Sequence, residues 1–474
     1  MVKNQNGRKC TKSQQNKRSG STQRLGANTP FSFTAHNMTP FGGIFALRSL
    51  TDRLGLEKLL QERLTITRRT VVSAAQYIMS TVNLLYVGYE RLAHVQYLQD
   101  DPFFKRVVGL DVVPRQSGFW RFFNKSLNTV NELEMQEVIF EMRDRVWAAA
   151  GVGLSRIHID TDTTVETVYG DQQKACVGYN PAHRGKKSYQ PVISAIAETG
   201  EFICGRQRGG ETISGADIAA HLHQVFSRLP STVMEVISRM DSGFYCKEAI
   251  EKHEEHGIHY IAAVKKFAPI QREIAQVTWS VAKGTDGVAE FYYQPGGWKH
   301  AYRFVVARYR KEDKDIQTDM FEDTMYKYRV FVTDLKRSAR AIVTEYDGRA
   351  QIENLIEEGK NQVAMAKVPG KRFTTNALFL QLVILTFNLN KWLQLIGRDE
   401  NEPFHWEEIR TSRFKHLYVA GKLIEHGHGL LIRFAADYPY KEYLTRLLER
   451  VRRIVFDRGA VQSVIDRSLI PGST

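Results

Sequence analysis

The chain has few cysteines, and none of them are paired at the close spacing that structural zinc sites use. Its 474 residues include only four cysteines. These lie far apart in the sequence, at Cys10, Cys176, Cys204 and Cys246. The distribution argues against both a zinc-binding cysteine cluster and a disulfide framework, and it suits a reducing compartment.

Long apolar stretches are also missing. No uninterrupted apolar run reaches 18 residues, and the N-terminus has no segment like the hydrophobic core of a signal peptide. We therefore expect no membrane span, no membrane partner and a cytoplasmic location.

Acidic residues are absent before Asp52, and the whole chain is basic. Sixty-six lysines and arginines against 52 acidic residues give a formal net charge of +14. Such a surplus favours a polyanionic partner, because binding releases condensed counterions, although a merely soluble basic protein is the alternative. Residues 1–35 are rich in basic and small polar residues and are predicted to form a basic disordered arm.

The hydrophobic periodicity of residues 36–152 predicts helices, and we expect this region to bind DNA. The segment SGFWRFFNK at 117–125 has two interpretations of equal weight. It is either a helix that enters a DNA groove or a core helix that buries Phe119, Phe122 and Phe123.

The pattern changes to strands at about residue 153. Residues 153–265 predict the order β-β-β-α-β-α-β, which is that of an α/β ribonuclease-H-like core with a mixed sheet. Residues 266–335 predict a β-rich insertion with a hairpin. Residues 336–400 return to helices as the second part of the core. Residues 401–474 are predicted to be a C-terminal region for DNA binding or dimerisation.

Three acidic residues stand out because the predicted fold can gather them. Asp162 lies on the first predicted strand, Asp241 closes the fourth, and Glu353 lies on a later helix. Ligands in such sheets collect at the carboxyl ends of strands. Clustered carboxylates repel each other and need cations between them, and their hard oxygen atoms suit Mg²⁺ or Mn²⁺. For each aspartate alone, a cap or turn residue is the plainer interpretation.

The segment YDGRAQIENLIEEGK at 346–360 spaces four functional side chains along one helical face. At ~100° per residue they fall within an arc of about 60°. An ordinary solvated face with ion pairs is one interpretation, and a face turned toward phosphates and a metal ion is the other. The four residues are Tyr346, Arg349, Glu353 and Lys360.

These motifs together carry a family resemblance. The sequence resembles the DDE transposases of bacterial insertion sequences, and it is most similar to the branch with a Tyr-x2-Arg-x3-Glu-x6-Lys (YREK) signature. The segment at 346–360 has that spacing, DTTVETVYG at 162–170 resembles the first-aspartate motif, and RMDSGFY at 239–245 resembles the second. The resemblance covers about residues 150–395.

The resemblance implies a function and a set of roles. It implies a Mg²⁺- or Mn²⁺-dependent enzyme with two ions that cleaves the element ends at their terminal inverted repeats and transfers the 3′ ends to target DNA. The carboxylates of Asp162, Asp241 and Glu353 would be both catalytic residues and metal ligands. An exposed Arg349, with Tyr346 and Lys360, would contact the DNA backbone. Asp160 shares the strand face of Asp162 and stays an alternative ligand.

The resemblance also implies partners. Strand transfer at two ends implies a homodimer in a synaptic complex on double-stranded DNA, associated with the bacterial nucleoid. Related transposases flip a base onto an aromatic residue of the insertion, and Trp298 and Tyr328 are the candidates here. Ordinary cross-strand aromatic packing is the alternative for either ring.

Three other functions stay open as alternatives. A ribonuclease-H-like nuclease would cleave without joining, a transposase-derived protein would bind DNA without catalysis, and a carboxylate-pair hydrolase is disfavoured by the net charge.

The histidines of HEEHGIH, at 253–259, do not have the HExxH spacing and are interpreted as surface residues. His221 and His223 are two residues apart on a predicted helix, so they face different ways.

Overall fold

The structure of the protein is a computed structural model. It describes residues 25–68, 70–212, 215–311, 325–399, 402, 404–427 and 429–455. Residues 25–36 belong to a first unit and contain no helix or strand, and a second unit begins at Asn37. Most of the predicted basic arm, residues 1–24, lies outside the described residues.

Fourteen α-helices are found in the described part of the second unit. They are α1 (Ile44–Arg53), α2 (Leu56–Arg63), α3 (Ala74–Tyr86), α4 (Pro102–Val108), α5 (Gln116–Lys125), α6 (Asn131–Ala149), α7 (Ile218–Phe226), α8 (Lys247–His256), α9 (Ala268–Ile274), α10 (Ala339–Asp347), α11 (Ala350–Gln362), α12 (Phe373–Gly397), α13 (Ile409–Ser412) and α14 (Lys441–Arg453). Short 3₁₀ and π turns lie at Leu92–Tyr97 and Arg413–Leu417.

Fourteen strands complete the described secondary structure. They are β1 (Met38–Thr39), β2 (Arg156–Thr163), β3 (Glu166–Thr167), β4 (Cys176–Val177), β5 (Lys187–Tyr189), β6 (Val192–Ile196), β7 (Glu201–Arg206), β8 (Glu235–Met240), β9 (His259–Val264), β10 (Gly287–Tyr293), β11 (Tyr302–Arg310), β12 (Tyr326–Thr333), β13 (Gly421–His426) and β14 (Gly429–Phe434).

The helical prediction for the N-terminal region is confirmed in outline. Gly55 adopts a left-handed φ of 69°, which separates α1 from α2 within a single amphipathic pattern. Helix α5 buries Phe119, Phe122 and Phe123, while Trp120 is 53% exposed. The core interpretation of these three phenylalanines is therefore the correct one.

An eight-stranded mixed sheet forms the centre of the second unit. Its strand order is β10-β11-β12-β9-β8-β2-β6-β7, in which β2, β8 and β9 are parallel and all other neighbours antiparallel. The predicted succession of strands and helices between β2 and β9 is confirmed, with the short β3, β4 and β5 inserted as a separate small sheet. Strands β10 to β12 extend the central sheet, because β12 pairs with β9.

Helix α12 crosses the edge of this sheet at β7. Its polar side chains form hydrogen bonds with backbone groups of β7. Asn388 accepts a hydrogen bond from the Phe202 amide and donates one to the Phe202 carbonyl, and Gln381 donates one to the Gly205 carbonyl. An edge strand is thereby covered inside the protein. By length and composition α12 is the one described helix that would suit a membrane span, but its most apolar window is entirely buried, as in a core helix.

The N-terminal helices, the central sheet and the C-terminal region share one hydrophobic core. Helix α12 packs against α3, α6 and α14, and β13 pairs with β1. Glu201 of β7 accepts hydrogen bonds from Trp147 of α6 and Trp392 of α12, which ties both helices to the sheet. The predicted boundary at residue 152 does not separate two cores.

Candidate active site

Two of the predicted carboxylates lie side by side at the carboxyl ends of neighbouring parallel strands. In the register of β2 and β8, Thr161 lies opposite Met240. Asp162 and Asp241 each come one residue later, so they emerge together from the same sheet edge. This is the edge at which open α/β sheets bind ligands.

Arg349 joins the third carboxylate to this pair. Its Nη2 lies 3.0 Å from Oδ2 of Asp162, and its Nη1 lies 3.3 Å from Oε1 of Glu353. The Asp162 side chain is 15% exposed and that of Glu353 is 65% exposed, so the cluster opens to solvent on the Glu353 side. The structure therefore brings Asp162, Asp241 and Glu353 to one place around a guanidinium.

The helix predicted over 346–360 is divided into two, while its four functional side chains all lie near Asp162. The chain breaks at Gly348 into α10 and α11, with Tyr346 near the end of one helix and Arg349 as the N-cap of the other. Arg349 is only 7% exposed, because it turns inward to Asp162. Tyr346 is 9% exposed and donates a hydrogen bond to the Met240 carbonyl. The prediction of an exposed Arg349 is corrected accordingly, and the buried Tyr346 is not accessible for the predicted DNA contact.

The electrostatics of Asp162 show how crowded the carboxylates are. The pKa of Asp162 is raised to about 6, chiefly by burial; Arg349 lowers the pKa, while the charges of Asp241 and Glu353 raise it. Charge that repels in this way is relieved by a divalent cation. The donor set of three carboxylates offers only hard oxygen atoms, so these residues fit Mg²⁺ or Mn²⁺.

Asp160 is excluded as an available ligand. Both of its oxygen atoms accept hydrogen bonds from Arg239, at 2.6 and 2.8 Å, and the side chain is 1% exposed. The ion pair of Asp160 and Arg239 could have been predicted from the sequence pattern. Asp160 and Asp162 alternate on β2 as Arg239 and Asp241 do on β8, so parallel pairing places an arginine opposite Asp160.

Arg239 also supports the helix junction that carries Arg349. Its Nη1 donates to the carbonyl of Glu345, 2.7 Å away, in the last turn of α10. A Cβ atom at Gly348 would collide with the same Nη1. The glycine is thus required by the close approach of Arg239 to the backbone between α10 and α11.

A half-buried network of ion pairs continues from this junction. His158 of β2 lies 2.6 Å from Glu198 and 3.0 Å from Glu345. Arg337 pairs with Glu345 and, at 2.9 Å, with Glu235. Sequence reasoning missed this network, because its members are far apart in the chain and no spacing links them.

The comparisons with known proteins now bear on this site. The sequence model of the family described as "Transposase DDE domain group 1" matches residues 24–456. The chain belongs to this transposase DDE family. No curated protein matches the sequence. Among solved structures, the chain is similar to a piggyBac transposase in a synaptic complex with hairpin DNA, determined by cryo-EM, with 10% identity, a TM-score of 0.42, and 89% of this chain and 87% of that chain covered.

In this DDE family member, Lys360 lies within reach of the charges of Asp162 and Glu166. Burial lowers the pKa of Lys360, while the charges of Glu166 and Asp162 raise it. Burial raises the pKa of Glu166 to about 7, and that carboxylate accepts a hydrogen bond from Gln207. Lys360 is thus a half-buried cation beside the site.

A cleft of about 1,470 Å³ opens beside Asp241. It is lined by Tyr245, Lys265 and Phe267 among others. Trp298 packs on Tyr245, one of the lining residues, with the two ring centroids 5.2 Å apart. Tyr328 belongs to a second aromatic group, with Trp279 at 5.8 Å and the Lys266 ammonium over its ring. Of the two predicted aromatic residues, Trp298 is therefore the one whose neighbours reach the site.

Proposed function

We propose that this protein is a DNA transposase of a bacterial insertion sequence, which cleaves the element ends and transfers the 3′ ends to target DNA. The observation that carries this proposal is the convergence of Asp162, Asp241 and Glu353 at one sheet edge, in a chain of the transposase DDE family. Three acids from two strands and a distant helix gather there around a single arginine.

The fold of the core supports the proposal. Strands β7-β6-β2-β8-β9 follow one another across the sheet, with α7 and α8 as the connections between the parallel strands. We interpret this arrangement as a ribonuclease-H-like core, and β10 to β12 as its β-rich insertion. We assign the chain to the YREK branch, because the four signature residues are all at or beside the site.

We assign Asp162, Asp241 and Glu353 as ligands of two Mg²⁺ or Mn²⁺ ions. Ions bound there would activate the attacking hydroxyl group and stabilise the leaving oxygen of the phosphodiester. Asp162 accepts a hydrogen bond from the Thr163 amide and contacts Arg349, which fixes the direction of its carboxylate. Glu353 contacts Arg349 from the exposed face of α11, so its carboxylate is accessible to an ion from solvent.

The geometry changes the roles proposed for the basic and aromatic residues. Arg349 positions Asp162 and Glu353, and Tyr346 holds α10 to the end of β8 through Met240. Lys360 stays our candidate for a phosphate contact, since a half-buried ammonium gains strongly from an anion. Trp298 is proposed to stack on a DNA base beside the cleft, and Tyr328 is the weaker candidate because its aromatic group is a different one.

The partners follow from the reaction. The net charge of +14 suits double-stranded DNA, both terminal inverted repeats and target. We propose that the helical N-terminal region and the basic α14 contribute to end recognition, and that a homodimer forms the synaptic complex in the cytoplasm, on the nucleoid.

The test is a reaction of the purified protein with DNA that carries the flanking sequence of its own gene. Products are mapped at nucleotide resolution with Mg²⁺, with EDTA and with pre-cut ends. We expect cleavage at both ends and joining of the pre-cut ends, all abolished by EDTA. Cleavage without joining would identify a nuclease, and binding without cleavage would identify a DNA-binding protein descended from a transposase.

A further inference from the structure

A second cluster of ligand atoms lies between α7 and α8, apart from the carboxylates described above. Nδ1 of His223 is 3.0 Å from Nε2 of His256, and a carboxylate oxygen of Glu255 completes a set whose atoms all lie within 4.8 Å of one another. We propose that His223, His256 and Glu255 bind one divalent transition-metal ion of the zinc class.

The ligand types select the ion. Two imidazole nitrogens and one carboxylate form a set that Zn²⁺ uses with water in the fourth position. Mg²⁺ prefers oxygen atoms and an octahedral shell, so it competes poorly for imidazole. The proposed site is therefore chemically distinct from the three carboxylates, and its test does not depend on transposase activity.

The two histidines need little movement to take up an ion. With Zn–N bonds of about 2.1 Å, a tetrahedral ion places its nitrogen ligands about 3.4 Å apart. The present separation of 3.0 Å is that of a hydrogen bond between the two rings, which the ion would replace with a small increase in spacing. The ring of Phe226 packs edge-on against that of His256, which limits the orientations the imidazole can adopt.

Glu255 is the weaker ligand of the three. Its side chain is 58% exposed and pairs with Lys252 at 2.5 Å. This lysine has to release the carboxylate before an ion binds. We therefore expect each histidine to contribute more to affinity than Glu255 does.

The position of the cluster defines its role. His256 is the last residue of α8, which ends at Gly257 with a left-handed φ of 64°. The other end of α8 follows the loop after Asp241, about 15 Å away along a ten-residue helix. An ion here would join α7 to α8 far from the reacting groups, so its effect is on stability.

The experiment is a Zn²⁺ titration of the full chain by isothermal titration calorimetry, with Mg²⁺ in excess throughout. It is carried out on the wild type and on Glu353→Gln, so that any Zn²⁺ bound at the carboxylates is recognised. We expect one Zn²⁺ per chain in both proteins. His223→Gln and His256→Gln should each weaken binding about tenfold or more, and Glu255→Gln by less.

His259→Gln is the matched control, because His259 lies in the same segment but pairs with Asp334. It should bind Zn²⁺ like the wild type. Equal thermal midpoints of all variants without metal would show that they fold. The visible absorption of bound Co²⁺ is a second measurement of metal binding, because imidazole ligation produces absorption bands. These bands should vanish in the His223→Gln variant. Wild-type affinity in both histidine variants, or equal loss in His259→Gln, would overturn the proposal.

Discussion

Nη2 of Arg349 lies 3.0 Å from Oδ2 of Asp162, deep enough that the arginine is only 7% exposed. The same guanidinium reaches Glu353. Without a metal ion, the positive charge among the carboxylates is thus supplied by the chain itself. Burial by itself would lower the pKa of Arg349, but the charges of Asp162, Tyr346 and Asp241 hold it above its ordinary value.

Arg349→Ala should destabilise the metal-free protein and abolish DNA cleavage. The substitution leaves a buried carboxylate without its cation, and we expect a loss of about 2 kcal/mol, less than for a fully buried pair because Glu353 is exposed. Added Mg²⁺ should raise the thermal midpoint of the variant more than that of the wild type, since the ion replaces the missing charge. Differential scanning fluorimetry with and without Mg²⁺ measures this.

Arg349→Lys is the comparison for that variant. A lysine keeps the charge but cannot contact two carboxylates with a planar fork. We expect it to recover stability in part and activity hardly at all. If the alanine variant cleaves DNA like the wild type, the positioning role of Arg349 is refuted.

Glu353→Gln should remove cleavage while leaving stability almost unchanged. The side chain is 65% exposed, so we expect a change in unfolding free energy within about 0.5 kcal/mol. Loss of a metal ligand should reduce the cleavage rate at least about 10³-fold. Glu357→Gln is the matched control, because Glu357 is exposed on the same helix, and it should cleave normally.

The sequence predicted the arrangement of strands and the meeting of the carboxylates, because both follow from local patterns. The alternation of apolar and polar residues around Ile157 and Ile159 predicts β2. A parallel neighbouring strand that leads into Asp241 then places Asp162 and Asp241 at the same edge of the sheet. The hairpin around Gly297 could also be predicted from the sequence, because glycine permits the left-handed φ of 78° that the turn adopts there.

Other features of the site depend on tertiary contacts that no spacing reveals. The helical pattern at 346–360 is continuous, whereas the structure divides it at Gly348, where Arg239 approaches the backbone. The periodicity of α11 cannot show that Arg349, at its N-cap, turns inward to an aspartate on β2. His253, interpreted as a surface histidine, is fully buried, because Phe226 and Tyr260 pack over its ring.

Gly348→Ala should reduce both stability and activity. The added methyl group collides with the guanidinium of Arg239, which is held by Asp160 and by the Glu345 carbonyl and cannot withdraw freely. We expect a cost of about 1–3 kcal/mol and a displaced α11, with cleavage falling more than stability implies. Denaturant unfolding and cleavage rates are measured on the same sample.

Gly153→Ala is the control for that substitution. No heavy atom lies within 4 Å of a Cβ at this position, and its φ is not left-handed. It should match the wild type in both measurements. An unaffected Gly348→Ala variant would show that Arg239 does not hold the junction.

The stability of the metal-free protein should fall as the pH rises above 6.5, because of His158. Burial would lower the pKa of His158, but hydrogen bonds donated to Glu198 and Glu345, and the charge of Glu198, raise it above 6.5 in spite of the opposing charge of Arg239. The stabilisation by the protonated ring is therefore fully present below the unfolded-state pKa of 6.5 and is lost as the pH rises through the higher folded-state pKa.

His158→Gln isolates this contribution. A neutral amide keeps one hydrogen bond but carries no titrating charge. The thermal midpoint of the variant should therefore lie furthest below the wild type below pH 6.5 and approach it as the pH rises through the higher folded-state pKa of His158. A constant gap between wild type and His158→Gln would mean that the ring is held by packing alone, because a protonated ring would lose its advantage at high pH.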